Sequence, residues 1–481
     1  MKTSEFFKAI ISNQFIRYSL IFIAAFAIYA QTLNYSLVND DDCKFTDSCS
    51  ANYSQPYSVI KAFQNDVFYG NMTVFFYRPV LSISFIIDNK IAGAAPFQAH
   101  LTNVLLHCVC ALLVLFFCSR HLFAPLPSFL AALLFAVHPV TIQTVAWIAG
   151  RNDSLLFIFF ISCLIFFKEY LSSKKPFFLL LHFIFLLLCL YTKENALAVP
   201  FLLLGFYILN RKEESKLPFY VYLLWILSLA VFLASKHTVL PNQLSGNYLL
   251  FSKETFAAFF DHISAVIFFR APMAEHTEIK IFILGIISSL LILFFGFYKR
   301  SYAQIKENLF YIIVIIAFLL PDFINGIPFA GRTTFQGNRV YIPLFCIIVL
   351  FFSFCKTLIQ TNFKLEKMLY GFIAILIVLS SYIILSNSEV YKNDLTFWTR
   401  VIEESKSTKL LPVIYHVDAL INHGLYEEAL KETSLFAELS GYKSIAVVRR
   451  LAVIYKILGD NEKADYYTSL VKQLLIEREP K

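Results

Sequence analysis

Apolar residues occur in long blocks along most of this chain, and short polar stretches separate the blocks. A helix needs roughly 20 mostly apolar residues to cross a bilayer, and about eleven blocks approach that length. The predicted spans are 16–33, 101–118, 127–145, 155–170, 177–192, 196–210, 218–234, 281–298, 308–324, 340–356 and 368–386. The pattern predicts an all-α fold, a polytopic membrane helix bundle over residues 1–386.

The composition agrees with this prediction. Hydrophobic residues make up 58% of the 481 residues, and 53 of them are Phe. The mean hydropathy of +0.65 excludes an ordinary soluble protein of this length. No small-residue cleavage site follows the first block, so we expect it to be retained as a helix rather than removed as a signal peptide.

The charges between the blocks predict the orientation. Lys and Arg concentrate in the N-terminal stretch and in every second short loop, which the positive-inside rule assigns to the cytoplasm. The short loops on the opposite side hold far fewer, namely Arg151, Lys193, Arg332 and Arg339. The net charge of +8 follows largely from this bias and does not indicate a nucleic-acid partner.

Two outer loops are long, about residues 34–100 and 235–280. Each contains a stretch with helical spacing of apolar residues, YSVIKAFQNDVF and ETFAAFFDHISAVIFF, as in helices that lie on a membrane surface. The alternative for the second stretch is a twelfth crossing. That crossing would place Lys299, Arg300 and Lys306 outside, against the positive-inside rule. Cys43 and Cys49 share the first loop, and an oxidising exterior would permit a disulfide between them.

The composition becomes polar and charged after Leu385, which predicts an extracytoplasmic helical domain over residues 387–481. Within it, GLYEEAL at 424–430 and GDNEKAD at 459–465 are offset by a period close to that of tetratricopeptide repeats. We interpret the segment as a short tetratricopeptide-like array. A generic bundle of helical hairpins is the alternative.

Ionisable residues gather at the predicted outer ends of the spans, where a passive anchor would not need them. Their mixture of acids and cations suits transfer of a sugar from a phosphate carrier: a carboxylate takes the acceptor's proton, and cations hold the leaving phosphate. The candidates for the catalytic base are Asp40 and Asp41, and the candidates for substrate binding are Asp42, Arg78, His138, Arg151, Asp153, Lys193, Glu194 and Arg339.

Several of these residues also have a simpler explanation. Three acids after a membrane helix commonly form a solvated cap, because charges usually face water. Two histidines at the mouth of the second span, His100 and His107, are more often interhelical hydrogen bonders than metal ligands. Arg78, Arg151 and Arg339 lie on the side where cations are disfavoured, so topology does not explain them.

The segments YRPVLSISFIID, HLTNVLLH, LLFAVHPVTIQTVAWIAGRNDSLLF, YTKENAL and NRVYIPLF occur in this order, before the repeats. This arrangement resembles the transmembrane and tetratricopeptide-repeat O-mannosyltransferases and their bacterial relatives, of the GT-C superfamily. The resemblance implies that an acidic pair in the first outer loop supplies the base, which maps onto Asp40 and Asp41. The family commonly has Glu where this chain has Gln143, and the repeat array here is shorter.

The resemblance and the residues together give a first hypothesis. The chain would be an inverting glycosyltransferase that moves a hexose, with mannose as the family's example, from a polyprenyl-phosphate-linked donor to a hydroxyl acceptor such as protein Ser or Thr. We expect as partners the donor, a protein or glycan acceptor and the lipid bilayer, but no nucleic acid. The sequence requires no cofactor and leaves a divalent metal open. The expected location is a bacterial inner membrane, with the site facing the periplasm.

Two hypotheses from other classes compete with this one. A transporter or flippase of lipid-linked sugars would also carry charged residues, but in the middle of its spans rather than at their outer ends. A membrane-anchored tetratricopeptide scaffold would leave the polar outer loops unexplained.

Overall fold

The computed structural model describes residues 12–38, 58–67, 76–93, 95–210, 216–240, 253–272, 279–321, 337–361, 365–405 and 410–478. These residues form α-helices joined by short 3-10 turns, and no strand occurs among them, so the predicted all-α fold is confirmed. The helices are α1 (Gln14–Tyr29), α2 (Ser58–Gln64), α3 (Pro79–Ala92), α4 (Pro96–His121), α5 (Pro125–Ala136), α6 (Ile142–Ala146), α7 (Arg151–Ser173), α8 (Pro176–Leu190), α9 (Val199–Asn210), α10 (Phe219–Val239), α11 (Lys253–Ile267), α12 (Ile279–Phe297), α13 (Tyr302–Leu319), α14 (Tyr341–Thr361), α15 (Leu365–Asn387), α16 (Asp394–Ser405), α17 (Leu410–Asn422), α18 (Tyr426–Leu439), α19 (Ile445–Ile457) and α20 (Asn461–Arg478).

Each of the eleven predicted spans overlaps at least one helix, although not every helix is long enough to cross a bilayer alone. Residues 322–324 of the span predicted at 308–324 lie outside the described residues. Within the described part, eight segments are long and apolar enough: Gln14–Asn34, Pro96–His121, Ile148–Ser173, Phe219–Val239, Ile279–Phe297, Tyr302–Leu319, Gly337–Gln360 and Leu365–Tyr391. The chain is therefore a multi-pass membrane protein.

The remaining three predicted spans differ in shape. The span predicted at 127–145 consists of Pro125–Ala136 and Pro139–Ala146, bent by 49° at the break, and the two halves together would make a ninth crossing. The spans predicted at 177–192 and 196–210 are the shorter helices Pro176–Leu190 and Glu194–Asn210. Counting these two as crossings would change the total from nine to eleven and would leave it odd.

The centre of the bundle is built by α4, α7 and α14. More than half of the most apolar window is buried inside the protein in each of these helices, 56% for Pro96–His121 and 67% for both Ile148–Ser173 and Gly337–Gln360. The corresponding value is only 17% for Leu365–Tyr391, which therefore lies at the periphery. A peripheral helix with exposed apolar side chains is suited to contact with lipid.

Helix α11 carries the stretch predicted to lie on the membrane surface. Its apolar part, Phe256–Ile267, is shorter than a crossing requires. It packs against α12, where a Cβ added at Gly285 would lie 2.3 Å from Cβ of Phe260. The alternative of a twelfth crossing is therefore not favoured, and the surface location stays a prediction.

The described residues form two compact units, and the second consists mainly of residues from Val390 onward. Its helices pair as hairpins, α17 with α18 and α19 with α20. The two predicted repeats place Gly424 and Gly459 two residues after the ends of α17 and α19, and both adopt positive φ values, +76° and +83°. Glycine is favoured there because the left-handed conformation has no Cβ clash. The tetratricopeptide assignment itself stays a prediction.

Candidate active site

A buried ion pair links the start of α7 to the turn that follows α8. The ammonium of Lys193 donates to both carboxylate oxygens of Asp153, at 2.7 Å each. The side-chain amide of Asn338 donates to Oδ2 of the same carboxylate at 2.7 Å. Lys193 and Asp153 are 6% and 5% exposed, so each charge is desolvated and depends on its partner.

A second ion pair lies beside the first along the chain. Nε and Nη2 of Arg78 both donate to Oε2 of Glu194, at 2.9 and 2.7 Å. Arg78 immediately precedes α3, and the amide of Val80 donates to the carbonyl of Tyr191 at 3.1 Å, which ties the start of α3 to the turn after α8. The FYRPV and YTKEN motifs therefore meet because their backbones are bonded to each other.

Electrostatics connect these pairs to Arg339, which lies in the 3-10 turn Gly337–Val340. Burial lowers the pKa of Lys193, the positive charges of Arg78 and Arg339 lower it further, and Asp153 opposes the shift. Burial raises the pKa of Glu194, but Arg78, Lys236 and a backbone hydrogen bond together lower it below its usual value. Arg78, Asp153, Lys193, Glu194 and Arg339 are called the charged cluster below. Its three cations and two carboxylates leave it positive overall, which favours an anionic ligand.

Gly150 explains how the chain brings the cluster together at the start of α7. A Cβ at this position would lie 2.5 Å from the carbonyl oxygen of Gln143 and 2.9 Å from Cα of Thr144. Only glycine allows this close approach. The side chain of Gln143 accepts the backbone N–H of Asn338 at 3.1 Å. Position 143 therefore supports the turn that carries Arg339, with a neutral acceptor where the resemblance implied an acid.

Arg151 belongs to a different set of contacts. Its guanidinium is fully buried and donates to Asp88 at 2.5 Å, to Oδ1 of Asn103 at 2.8 Å and to the carbonyl of Ala99 at 2.8 Å. The ring of Phe85 lies under it, with 4.6 Å from Cζ to the ring centroid. These bonds join α3, α4 and α7, which makes Arg151 part of the internal packing rather than of the charged cluster.

His138 is also bonded internally, at the break between α5 and α6. It is 2% exposed, and its Nε2 lies 3.0 Å from the carbonyl of Val266 while Nδ1 accepts the amide of Val140 at 3.3 Å. The ring packs at 4.6 Å against Phe269, a residue with φ of +53°. His138 therefore holds the end of α11 against the break.

His100 and His107 of α4 differ in their contacts. Nδ1 of His107 lies 2.6 Å from the hydroxyl of Tyr341, and Nε2 lies 2.9 Å from the carbonyl of Ala136. The interpretation of His107 as an interhelical hydrogen bonder is confirmed. Nε2 of His100 lies 3.4 Å from the carbonyl of Ser36. Within the described ranges, no group of three or more His, Cys, Asp or Glu side chains is placed to hold a metal ion.

The acidic triplet Asp40, Asp41 and Asp42 lies outside the described residues, as do Cys43 and Cys49. The described chain that precedes the triplet is well packed. Val38 is fully buried, and Leu37 packs against the apolar group that includes Leu81 and Phe85 of α3.

The structure adds residues that sequence reasoning missed, namely Asp88, Asn103 and Asn338. Asp88 begins the polar run DNK near the end of α3, and Asn103 follows His100 and Thr102 in α4, so neither residue stands out from its polar neighbours in the sequence. Asn338 carried only a weak signal, since it precedes the candidate Arg339.

Residues 79–235 match the profile of the family described as dolichyl-phosphate-mannose-protein mannosyltransferase. The segment resembles that family. It spans α3 to α10 and includes Asp153, Lys193 and Glu194 of the charged cluster. The resemblance inferred from the sequence motifs is thereby confirmed over this part of the chain.

Curated relatives give the same result over a similar length. The chain is 34% identical over 140 residues to protein O-mannosyl-transferase TMTC1 of Mus musculus, which covers 26% of this chain and 14% of that protein. It is 31% identical over 153 residues to TMTC2 of Homo sapiens, covering 31% and 18%. It is 34% identical over 157 residues to Tmtc1 of Drosophila melanogaster, covering 31% and 17%. The match thus spans less than a fifth of each of these relatives, and no solved structure matches the chain.

Proposed function

We propose that this chain is an inverting glycosyltransferase that moves a hexose from a polyprenyl-phosphate donor to a hydroxyl acceptor. The charged cluster carries this proposal, because it gathers three cations and two carboxylates from segments far apart in the sequence. The relatives named protein O-mannosyl-transferases support mannose as the hexose and protein Ser or Thr as the acceptor.

The reaction needs two kinds of group. The acceptor oxygen forms a bond to the anomeric carbon while the bond from that carbon to the phosphate oxygen breaks, and the acceptor loses its proton to a base. The products are the glycosylated acceptor and polyprenyl phosphate. Arg78, Lys193 and Arg339 would hold the phosphate as its negative charge grows, since preorganised cations stabilise such a transition state.

Lys193 would gain most from a bound phosphate. Its ammonium is buried and lies under the influence of two arginines, which lower its pKa. An anionic ligand would compensate these cations and favour the protonated lysine. Asp153 and Asn338 would hold the ammonium in place through their bonds to each other.

The base would come from the acidic triplet. We propose Asp40 or Asp41, with Asp42 as a neighbour that affects their ionisation, because adjacent carboxylates repel one another and raise a pKa among them. The packing of Leu37 and Val38 supports a fixed start for this segment.

Two sequence candidates receive different roles in this proposal. Arg151 would stabilise the junction of α3, α4 and α7 by compensating Asp88, and would not bind the phosphate. His138 would position α11 at the break between α5 and α6, because both of its ring nitrogens are already bonded.

We further propose a bacterial inner membrane with the site and the C-terminal unit facing the periplasm. The bias of Lys and Arg supports a cytoplasmic N-terminus. Counting the bent pair Pro125–Ala136 and Pro139–Ala146 as one span gives nine crossings, and nine or the predicted eleven would place the C-terminal unit outside. A reporter that is active only in the periplasm, fused after Lys481, should be active. Activity from a cytoplasm-dependent reporter instead would reverse the orientation.

The charged cluster can be tested by its affinity for polyprenyl phosphate, the expected product. Arg339→Ala should weaken binding by roughly 10-fold or more, because a charge-assisted hydrogen bond contributes about 1.5–3 kcal/mol. The matched control is Arg120→Ala, which removes an arginine that is 62% exposed and lies 3.6 Å from Glu169. Equal affinities for the wild type and both folded variants would remove the phosphate from this site.

A further inference from the structure

Asn338 is held by one bond at its backbone and one at its carboxamide. Its backbone N–H donates to Gln143 at 3.1 Å, and its Nδ2 donates to the carboxylate of Asp153 at 2.7 Å. Exchanging the amide nitrogen and oxygen would place a carbonyl against that carboxylate, so the assignment is fixed by charge. Asn338 is 6% exposed, which leaves little freedom for its side chain.

This orientation leaves the carboxamide oxygen of Asn338 without a hydrogen-bond donor in the described part of the chain. Among the described residues, Oδ1 of Asn338 is buried without a hydrogen-bond partner, and the same is true of Oε1 of Glu194. A buried acceptor without a donor costs about 1–3 kcal/mol, and such groups are few in folded proteins. Asn338 bonds to Asp153 of the charged cluster, and Glu194 is itself a member of the cluster and bonds to Arg78.

The chemistry of the two oxygens defines the ligand group that fits them. A phosphate offers only acceptor oxygens at neutral pH, so it would bind the cations and avoid these atoms. A sugar hydroxyl carries a proton that it can donate. Two hydrogen-bond acceptors beside a positive cluster therefore suit a molecule with hydroxyl groups next to a phosphate.

We propose that Oδ1 of Asn338, with Oε1 of Glu194, accepts hydrogen bonds from hydroxyl groups of the donor's sugar, and that Asn338 thereby determines sugar specificity. This inference rests on the proposed function and adds a residue to its site. Asp153 orients the carboxamide, and Gln143 holds the backbone of Asn338. Discrimination arises because a donor that lacks the bonded hydroxyl leaves the buried oxygen unpaired.

The experiment uses purified full-length protein, synthetic polyprenyl-phosphate mannose and derivatives that each lack a single ring hydroxyl. For the wild type, kcat/KM should fall roughly 10- to 100-fold for at least one derivative, as the loss of one such bond predicts. In Asn338→Ala, the ratio of kcat/KM for the intact donor to kcat/KM for that derivative should shrink to about 1, while the ratios for the other derivatives remain unchanged. Asn308→Ala is the matched control, because Asn308 is also buried and bonds to the carbonyl of Gly296 at 2.8 Å.

The possible outcomes separate the two levels of the proposal. If Asn338→Ala lowers kcat/KM equally for all donors, or if Asn308→Ala changes the same preference, Asn338 has no role in specificity. If Asn338→Ala does not fold, donor binding by the wild type still decides, because equal affinity for every derivative would overturn the inference. A wild type that neither binds nor uses any of these donors would overturn the proposed function itself, and the inference with it.

Discussion

Arg151→Met tests whether Arg151 stabilises the fold or binds the donor. The substitution keeps an unbranched apolar side chain but removes the guanidinium that compensates Asp88, and both partners are buried, at 0% and 3% side-chain exposure. Removing one partner of a buried pair typically costs about 3–5 kcal/mol. Such a loss lowers the ratio of folded to unfolded protein by roughly 100-fold to several thousand-fold.

A second substitution should recover most of this loss. The double variant Arg151→Met, Asp88→Leu leaves no unpaired charge, and replacement of a buried pair by apolar side chains is often neutral for stability. The assay is unfolding in mixed micelles with increasing denaturing detergent, with Arg120→Met as the surface control expected to lose about 1 kcal/mol or less. If Arg151→Met were as stable as the wild type but failed to bind polyprenyl phosphate, the structural role would be refuted.

Gly150, Lys193 and the acidic triplet each give a further prediction. Gly150→Ala should destabilise the protein by about 1–3 kcal/mol, because the added Cβ would overlap the carbonyl of Gln143. The control is Gly205→Ala, where an added Cβ would have no atom within 4 Å, and this variant should be neutral or stabilising in the same unfolding assay. In the proposed function Lys193 would bind phosphate only when protonated, and burial lowers its pKa. Wild-type affinity for polyprenyl phosphate should therefore weaken as the pH rises through that lowered pKa, whereas Lys193→Arg should show no such step. A wild-type profile identical to that of the variant would contradict this prediction. Either Asp40→Asn or Asp41→Asn, whichever replaces the base, should lower turnover by roughly 100-fold or more at equal membrane abundance. Near-native turnover in both single variants would mean that the triplet is a solvated cap.

The helices were predictable because the apolar blocks alone determine where a chain can enter a bilayer. The sequence did not show which blocks give short or bent helices. Helix α8 has only 15 residues, from Pro176 to Leu190, and the chain breaks at His138 between two helices bent by 49°. The short and bent helices result from local breaks in the chain and from packing between helices, and the hydropathy of a block shows neither.

The charged cluster was predictable in outline, since FYRPV, RND, YTKEN and GNRV place their charges at the same predicted ends of spans. The bonding partner of each charged residue was not predictable from the sequence. Arg151 and Asp153 are two residues apart, yet one bonds to Asp88 within the packing of α3, α4 and α7 and the other to Lys193 in the cluster. Neighbours in a helix point in different directions, and only the tertiary fold decides which helix each one meets.

The central claim is tested most directly by incubating purified protein with polyprenyl-phosphate mannose and a peptide that contains Ser and Thr. The proposed function predicts free polyprenyl phosphate and mannosylated peptide in equal amounts, with both products lost when Asp40 and Asp41 are replaced together by Asn. Release of neither product by folded protein that binds the donor, or passage of intact donor across proteoliposomes without release, would contradict glycosyl transfer.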